Sequence, residues 1–133
     1  MNSFPLRYLG FLLVASTFVV AGCDDSGNEP TGGSPNPSGA ISFSGFVSPT
    51  FSIYGCTSCH GGSGGLTLTS YQALITGGNS GPAVIPGNGA GSLLIRKLLG
   101  TAAGSQMPLG GTPLPPTTID SISAWIDQGA LNN

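Results

Sequence analysis

Cys56-Thr57-Ser58-Cys59-His60 is the densest group of reactive side chains in the sequence. Its two thiols stand about one helical turn apart, and the residue after the second carries an imidazole. In a C-x-x-C-H run the thiols add to the two vinyl groups of a haem to form thioethers, and the histidine reaches the iron from the same side. Other chemistries use parts of this pattern. A disulfide redox motif also needs C-x-x-C, but the strand-helix alternation of thioredoxin-like proteins is absent here. A zinc ribbon needs a second ligand pair, and the chain offers one further cysteine, Cys23, and no second histidine. Cys56 and Cys59 are therefore read as the covalent attachment points of one haem c, with His60 as proximal iron ligand.

Haem iron with one imidazole takes a sixth ligand or keeps an open position. Apart from the initiator, Met107 in Gln106-Met107-Pro108-Leu109-Gly110-Gly111 is the only methionine, 47 residues after His60. A lone methionine is ordinarily a core filler. This one precedes a proline in a Gly- and Pro-rich loop, where the backbone is biased to be extended and can pass around a haem edge. A thioether is a soft, neutral ligand that favours ferrous iron, and Met107 is read as the distal ligand. Lys97, the only lysine, is the other conceivable sixth ligand. Its place in a run of Leu and Ile predicts that the amine snorkels outward.

The elements that position these residues follow from apolar spacing and its punctuation. Val47, Phe51 and Tyr54 recur at helical spacing, with Ser48-Pro49 either opening a helix as N-cap and N1 or kinking a longer one from Ser44. Thr69 and Ser70 can cap a short helix through Tyr71, Leu74 and Ile75, stopped by Gly77-Gly78. Asn88 can cap another through Leu93, Leu94, Ile95 and Leu98, stopped by Gly100. Thr117-x-x-Asp120 has the form of a capping box for a last helix carrying Ile119, Ile122, Trp125 and Ile126 on one face, closed by Gly129. The fold class is mainly α, with about four helices.

Gly61 to Gly65 and Gly77 to Gly91 are glycine-rich loops without the Gly-Lys-Ser/Thr ending of a P-loop, and are read as backbone wrapped closely around a flat cofactor. Leu66, Leu68, Ala83, Val84 and Ile85 would line the haem or pack in the core. Asp120 and Asp127, seven apart on the last helix, are read as a solvated face rather than an acid-base pair.

Composition bounds the rest. The chain has 133 residues, 23 Gly and 11 Pro, and only 6% charged residues. That borders on a disordered composition, so the haem is expected to supply the centre of the core and the haem-free domain to be loose. Net charge is −2, and no basic surface exists for nucleic acid.

Arg7 precedes the apolar stretch Tyr8 to Ala21, 14 residues long, which is short for a membrane span and suits a signal peptide. Val20-Ala21-Gly22-Cys23 resembles the lipobox of bacterial lipoproteins. Residues 1–22 are thus a lipoprotein signal peptide, and Cys23 becomes the lipidated first residue of an exported protein facing the periplasm or exterior. Residues 23–40 form a linker. From Asp24 it has no large apolar side chain and spans roughly 20 to 25 Å as a flexible coil. Asp24 resembles the inner-membrane retention signal of enteric bacteria, a rule that does not transfer between phyla, so inner and outer membrane stay open. Residues 41–133 are the folded domain.

Ile53-Tyr54-Gly55-Cys56 through Gly62, Gly65-Leu66-Thr67-Leu68-x-x-Tyr71, Gly81-Pro82-Ala83-Val84-Ile85-Pro86-Gly87 with Ser92-Leu93-Leu94, Met107-Pro108-x-Gly110-Gly111, and Ile122-x-x-Trp125-Ile126-x-x-Gly129-Ala130 together carry a resemblance. They resemble the planctomycete-type cytochrome c domains, relatives of class I cytochrome c, over about residues 43 to 131. The resemblance implies haem c at Cys56 and Cys59, axial His60 and Met107, and crossing first and last helices. Gly89 and Gly91 depart from it by weakening the start of the third helix. The function implied is a monohaem electron carrier that exchanges single electrons with redox partner proteins and takes no small-molecule substrate. A haem sensor or peroxidase-like site opened by loss of Met107 is the alternative. It would want a distal base or donor, and only Arg96 and Lys97 are on offer in the domain. A subunit that lines up haems in an assembly is a third reading.

Overall fold

A computed structural model describes residues 39–133 of the chain, and there the backbone is helical wherever apolar residues recur at helical spacing and irregular where Gly and Pro dominate. Five α-helical segments follow in order: α1 (Ser48–Ile53), α2 (Cys56–Cys59), α3 (Tyr71–Thr76), α4 (Leu93–Leu98) and α5 (Pro116–Asp127). Among the described residues there is no strand, only the isolated bridges Gly61–Thr67 and Gly78–Gly81. The expected signal peptide, Cys23 and the expected linker as far as residue 38 lie outside the described residues.

The first helix is the longer, interrupted form. A π-helical segment, Phe43–Val47, runs directly into α1, and the Ser42 hydroxyl caps it by accepting from Gly45 N at 3.1 Å. A proline inside a helix lacks an N–H and crowds the carbonyl four residues back. Ahead of Pro49 the backbone adopts the wider register, with Val47 N donating to Ser42 O and Ser48 N to Phe43 O.

Three further boundaries correct or refine the sequence reading. Ser70 caps α3 by accepting from Ala73 N at 3.2 Å. Asn88 does not cap α4: its side chain accepts from Gly91 N and its carbonyl from Ser92 N, closing a turn, and the helix begins only at Leu93. The Thr117–Asp120 capping box does not form either. Pro116 sits at the start of α5, where its missing N–H costs nothing, and the Pro115 carbonyl accepts from Thr118 N and Ile119 N.

α5 is the centre of the core. Ile122, Trp125 and Ile126 on its inner face are fully buried, together with Val47 from the π-helical segment and Leu74 from α3. Trp125 packs beside the Phe43 ring with centroids 5.6 Å apart, and its indole N–H donates to Leu131 O at 2.9 Å. Tyr71 meets Phe43 edge-on and donates its hydroxyl to Ala130 O. The expected pairing of first and last helices is this packing of α5 on Phe43–Val47, and α4 packs against α5 as well.

Of the candidate haem-wall residues, Leu68, Ala83 and Val84 are buried in this core and Leu66 is half-buried against it, whereas Ile85 is exposed. The glycine-rich loops pack on protein. Asn79 N donates to Gly64 O at 2.8 Å, joining the loop after α2 to the turn after α3. Gly77 lies in that turn at φ +84°, ψ −157°, a conformation restricted to glycine, and a Cβ there would meet the Pro82 backbone at 2.9 Å. Gly89 presses onto α5, where a Cβ would lie 2.8 Å from Ser123 O, and donates its N–H to Asp127. These glycines allow backbone to approach backbone. Asp120 and Asp127 are both exposed, as a solvated face requires, and Asp127 in addition anchors a loop by accepting from Gly89 N.

Candidate haem-binding site

α2 is a single turn, and its shortness sets the geometry of the motif. It follows α1 through a tight turn at Gly55, which has φ +70°, and it ends where His60 N donates to Cys56 O at 2.9 Å. Cys56 and Cys59 are both unpaired thiols, so the pair is not a disulfide. Cys56 is half-buried against the core and Cys59 is exposed. Burial pushes the Cys56 thiol above its ordinary value. A backbone hydrogen bond draws it down by less, and the neighbouring Cys59 pushes it up further.

His60 is held by the loop that follows. Its Nδ1 lies 3.3 Å from Ser63 O, and its own carbonyl accepts from Leu68 N at 2.8 Å. A carbonyl can only accept, so this contact places the imidazole proton on Nδ1 and leaves the lone pair of Nε2 free to bind a metal. Among the described residues no three His, Cys, Asp or Glu side chains gather closely enough to hold a metal ion by themselves. Cys56, Cys59 and His60 share a turn without converging on one point. That donor set fits a group broad enough to take two thiols at its periphery and an imidazole at its centre, which is the chemistry of haem c.

Met107 sits in the irregular chain between α4 and α5, with its side chain half-buried against the same core that Cys56, Phe46, Leu66, Tyr71 and Ile75 touch. The first thiol and the thioether, 51 residues apart in sequence, therefore both border one apolar cluster. Met107 N donates to Lys97 O at 3.0 Å, which ties this residue to the end of α4. The peptide bond to Pro108 is cis. Lys97 reaches the surface as its setting in a run of Leu and Ile predicts, and there its ammonium also donates to Ala103 O at 2.6 Å and Ser105 O at 3.4 Å, in the loop ahead of Met107, a pairing the sequence reading did not foresee. Glycine at position 104, which lets that loop turn sharply between the two carbonyls, was the available sequence signal.

Residues 56–108 match the family model of Planctomycete cytochrome C. The matched segment starts at the first motif cysteine and ends one residue after Met107, so it contains every candidate haem contact just described. No curated protein and no solved structure gives a match. The cytochrome c family implies haem c and haem-based electron transfer, and the all-helical fold of the described residues is consistent with it. With the motif on its own helical turn and the match running from there to the methionine loop, residues 56–108 are similar to the planctomycete-type cytochrome c domains.

Proposed function

We propose that this domain is a monohaem electron carrier, attached to a bacterial membrane through Cys23 and exchanging single electrons with redox partner proteins. The observation that carries the reading is the C-x-x-C-H turn with free thiols at Cys56 and Cys59 and an imidazole whose Nδ1 faces Ser63 O. When bound, the haem supplies a one-electron iron couple. The protein's part is attachment, ligation and exclusion of water. Each thiol would add across one vinyl group of the haem, sulfur to one carbon and proton to its neighbour, with no oxidant consumed. Ser63 O holds the His60 ring in the tautomer that presents Nε2. Met107 would supply a thioether as the second iron ligand, and with both protein ligands in place the iron would have no position for a substrate. Lys97, one of the two strong donors a sensor or peroxidase would draw on, has its ammonium engaged by the loop, which supports the carrier.

The membrane attachment rests on the sequence around Cys23. Acylation there, with the linker of residues 23–40, would keep the exported domain at the envelope and let it reorient between partners. Replacing Cys23 by Ser should release the domain from membranes or block its processing, and unchanged partitioning into detergent would refute the anchor.

The haem assignment is tested by producing the full chain with cytochrome c maturation machinery. Haem peroxidase stain should stay on the band after denaturing electrophoresis, with one haem per chain by haemochrome absorbance. Complete extraction of the haem by acid acetone would refute thioether attachment.

A further inference from the structure

The loop between α4 and α5 has no regular structure from Gly100 to Pro115, yet its first part is fastened at several points to one helix end. The last carbonyls of an α-helix have no partners within the helix. At the end of α4 the loop supplies them. Arg96 O accepts from Thr101 N and Ala102 N, Lys97 O from Gly100 N and Met107 N, and Leu98 O from the Gln106 side chain at 2.8 Å. Lys97 completes the arrangement from the other direction, its ammonium donating to Ala103 O and Ser105 O. One residue thus grips the loop twice, by its backbone at Met107 and by its side chain just before it.

We infer that Lys97, assisted by Gln106, is a positioning residue for Met107, a clamp that sets how often the methionine loop opens. The inference rests on the reading of Met107 as distal ligand. A thioether is a weak neutral ligand, so occupancy of the sixth position depends on how firmly the backbone that carries it is held. Segments with few buried contacts open locally at low cost. In this loop Ala102 is buried and Met107 half-buried, while Ala103 to Gln106 are exposed, so hydrogen bonds to α4 are the main restraint. The bonds made by Lys97 Nζ are charge-assisted and stronger than neutral ones.

The test uses the full haem-loaded chain and two readouts: the rate at which the ferrous protein takes up carbon monoxide, and the weak red charge-transfer band of sulfur ligation in the ferric form. Lys97→Ala should take up carbon monoxide roughly tenfold faster than wild type, the change expected when a charge-assisted hydrogen bond is lost, and should weaken the red band. Lys97→Arg, which keeps a cationic donor, should restore much of both. Gln106→Leu should give a smaller acceleration. Arg96→Ala removes the same charge from an exposed position on the same helix and should behave as wild type.

Uptake by Lys97→Ala no faster than by Arg96→Ala, with Met107→Ala fast, would overturn the clamp while leaving the distal ligand standing. Slow uptake by Met107→Ala as well would overturn both. If Lys97→Ala does not accumulate as holoprotein, Lys97→Gln carries the same readout. An intermediate rate supports the clamp, and a wild-type rate overturns it.

Discussion

The face built from Phe43–Val47, α1 and α5 and the face built from α2 and the loops after it and after α4 are held together by different means. On the first, the side chains of Val47, Ile122, Trp125 and Ile126 are fully buried, and Phe51 nearly so. On the second, residues 61–65 and 103–106 are exposed, and the joints are hydrogen bonds such as Asn79 N to Gly64 O, Met107 N to Lys97 O and Lys97 Nζ to Ala103 O. The candidate attachment and iron-binding residues, Cys56, Cys59, His60 and Met107, lie on the second face. The difference teaches that this sequence places its chemistry where the protein buries least. The packed face fixes the ends of the loops, and a cofactor attached at Cys56 and Cys59 would supply apolar contact that the loops cannot make among themselves.

The largest expected effect comes from withholding the cofactor. A Cys56→Ala, Cys59→Ala chain should carry no covalent haem and lose its cooperative thermal transition, and amide exchange should show protection vanishing at residues 61–68 and 100–107 before it vanishes in α5. A sharp transition with evenly protected loops would erase the distinction between the faces. Next is the packed face in the holoprotein. Trp125→Ala should cost about 3–5 kcal/mol in denaturant unfolding, because it removes the largest buried side chain and leaves Leu131 O without its donor.

Smaller effects locate the seam between the faces. Gly77→Ala should destabilise the holoprotein by about 1–3 kcal/mol, since its backbone conformation is strained for any side chain and the Cβ would press on Gly81 and Pro82. Ser70→Ala should cost about 1 kcal/mol through loss of the α3 cap. Thr117→Ala should be close to neutral in the same measurement, because α5 starts at Pro116 and no side chain caps it.

Elements carried by local signals were legible. The apolar spacing of Leu93, Leu94, Ile95 and Leu98 and of Ile119, Ile122, Trp125 and Ile126 located α4 and α5, Ser70 marked the start of α3, and Gly77, Gly100 and Gly129 marked the stops. The C-x-x-C-H turn was legible because its spacing is its chemistry. What failed depended on residues distant in sequence or on competition between neighbouring caps. Asn88 spends its side chain on a turn, and Pro116 pre-empts Thr117. Asp127 anchors Gly89 from 38 positions away. The Lys97 ammonium could be assigned to solvent or to iron from sequence, but not to two carbonyls whose positions only the folded loop defines.

The most direct test of the central claim, a six-coordinate haem that moves electrons rather than binding ligands, is a redox titration of the purified holoprotein followed by its optical spectrum, wild type beside Met107→Ala. The wild type should titrate as a single one-electron couple, show the red sulfur band when ferric and bind carbon monoxide poorly when ferrous, whereas Met107→Ala should lose the band and titrate at a lower potential, because the ligand favouring the ferrous state is gone. A wild-type protein that binds carbon monoxide rapidly, with a potential indifferent to Met107→Ala, would contradict the carrier and point to an open haem site.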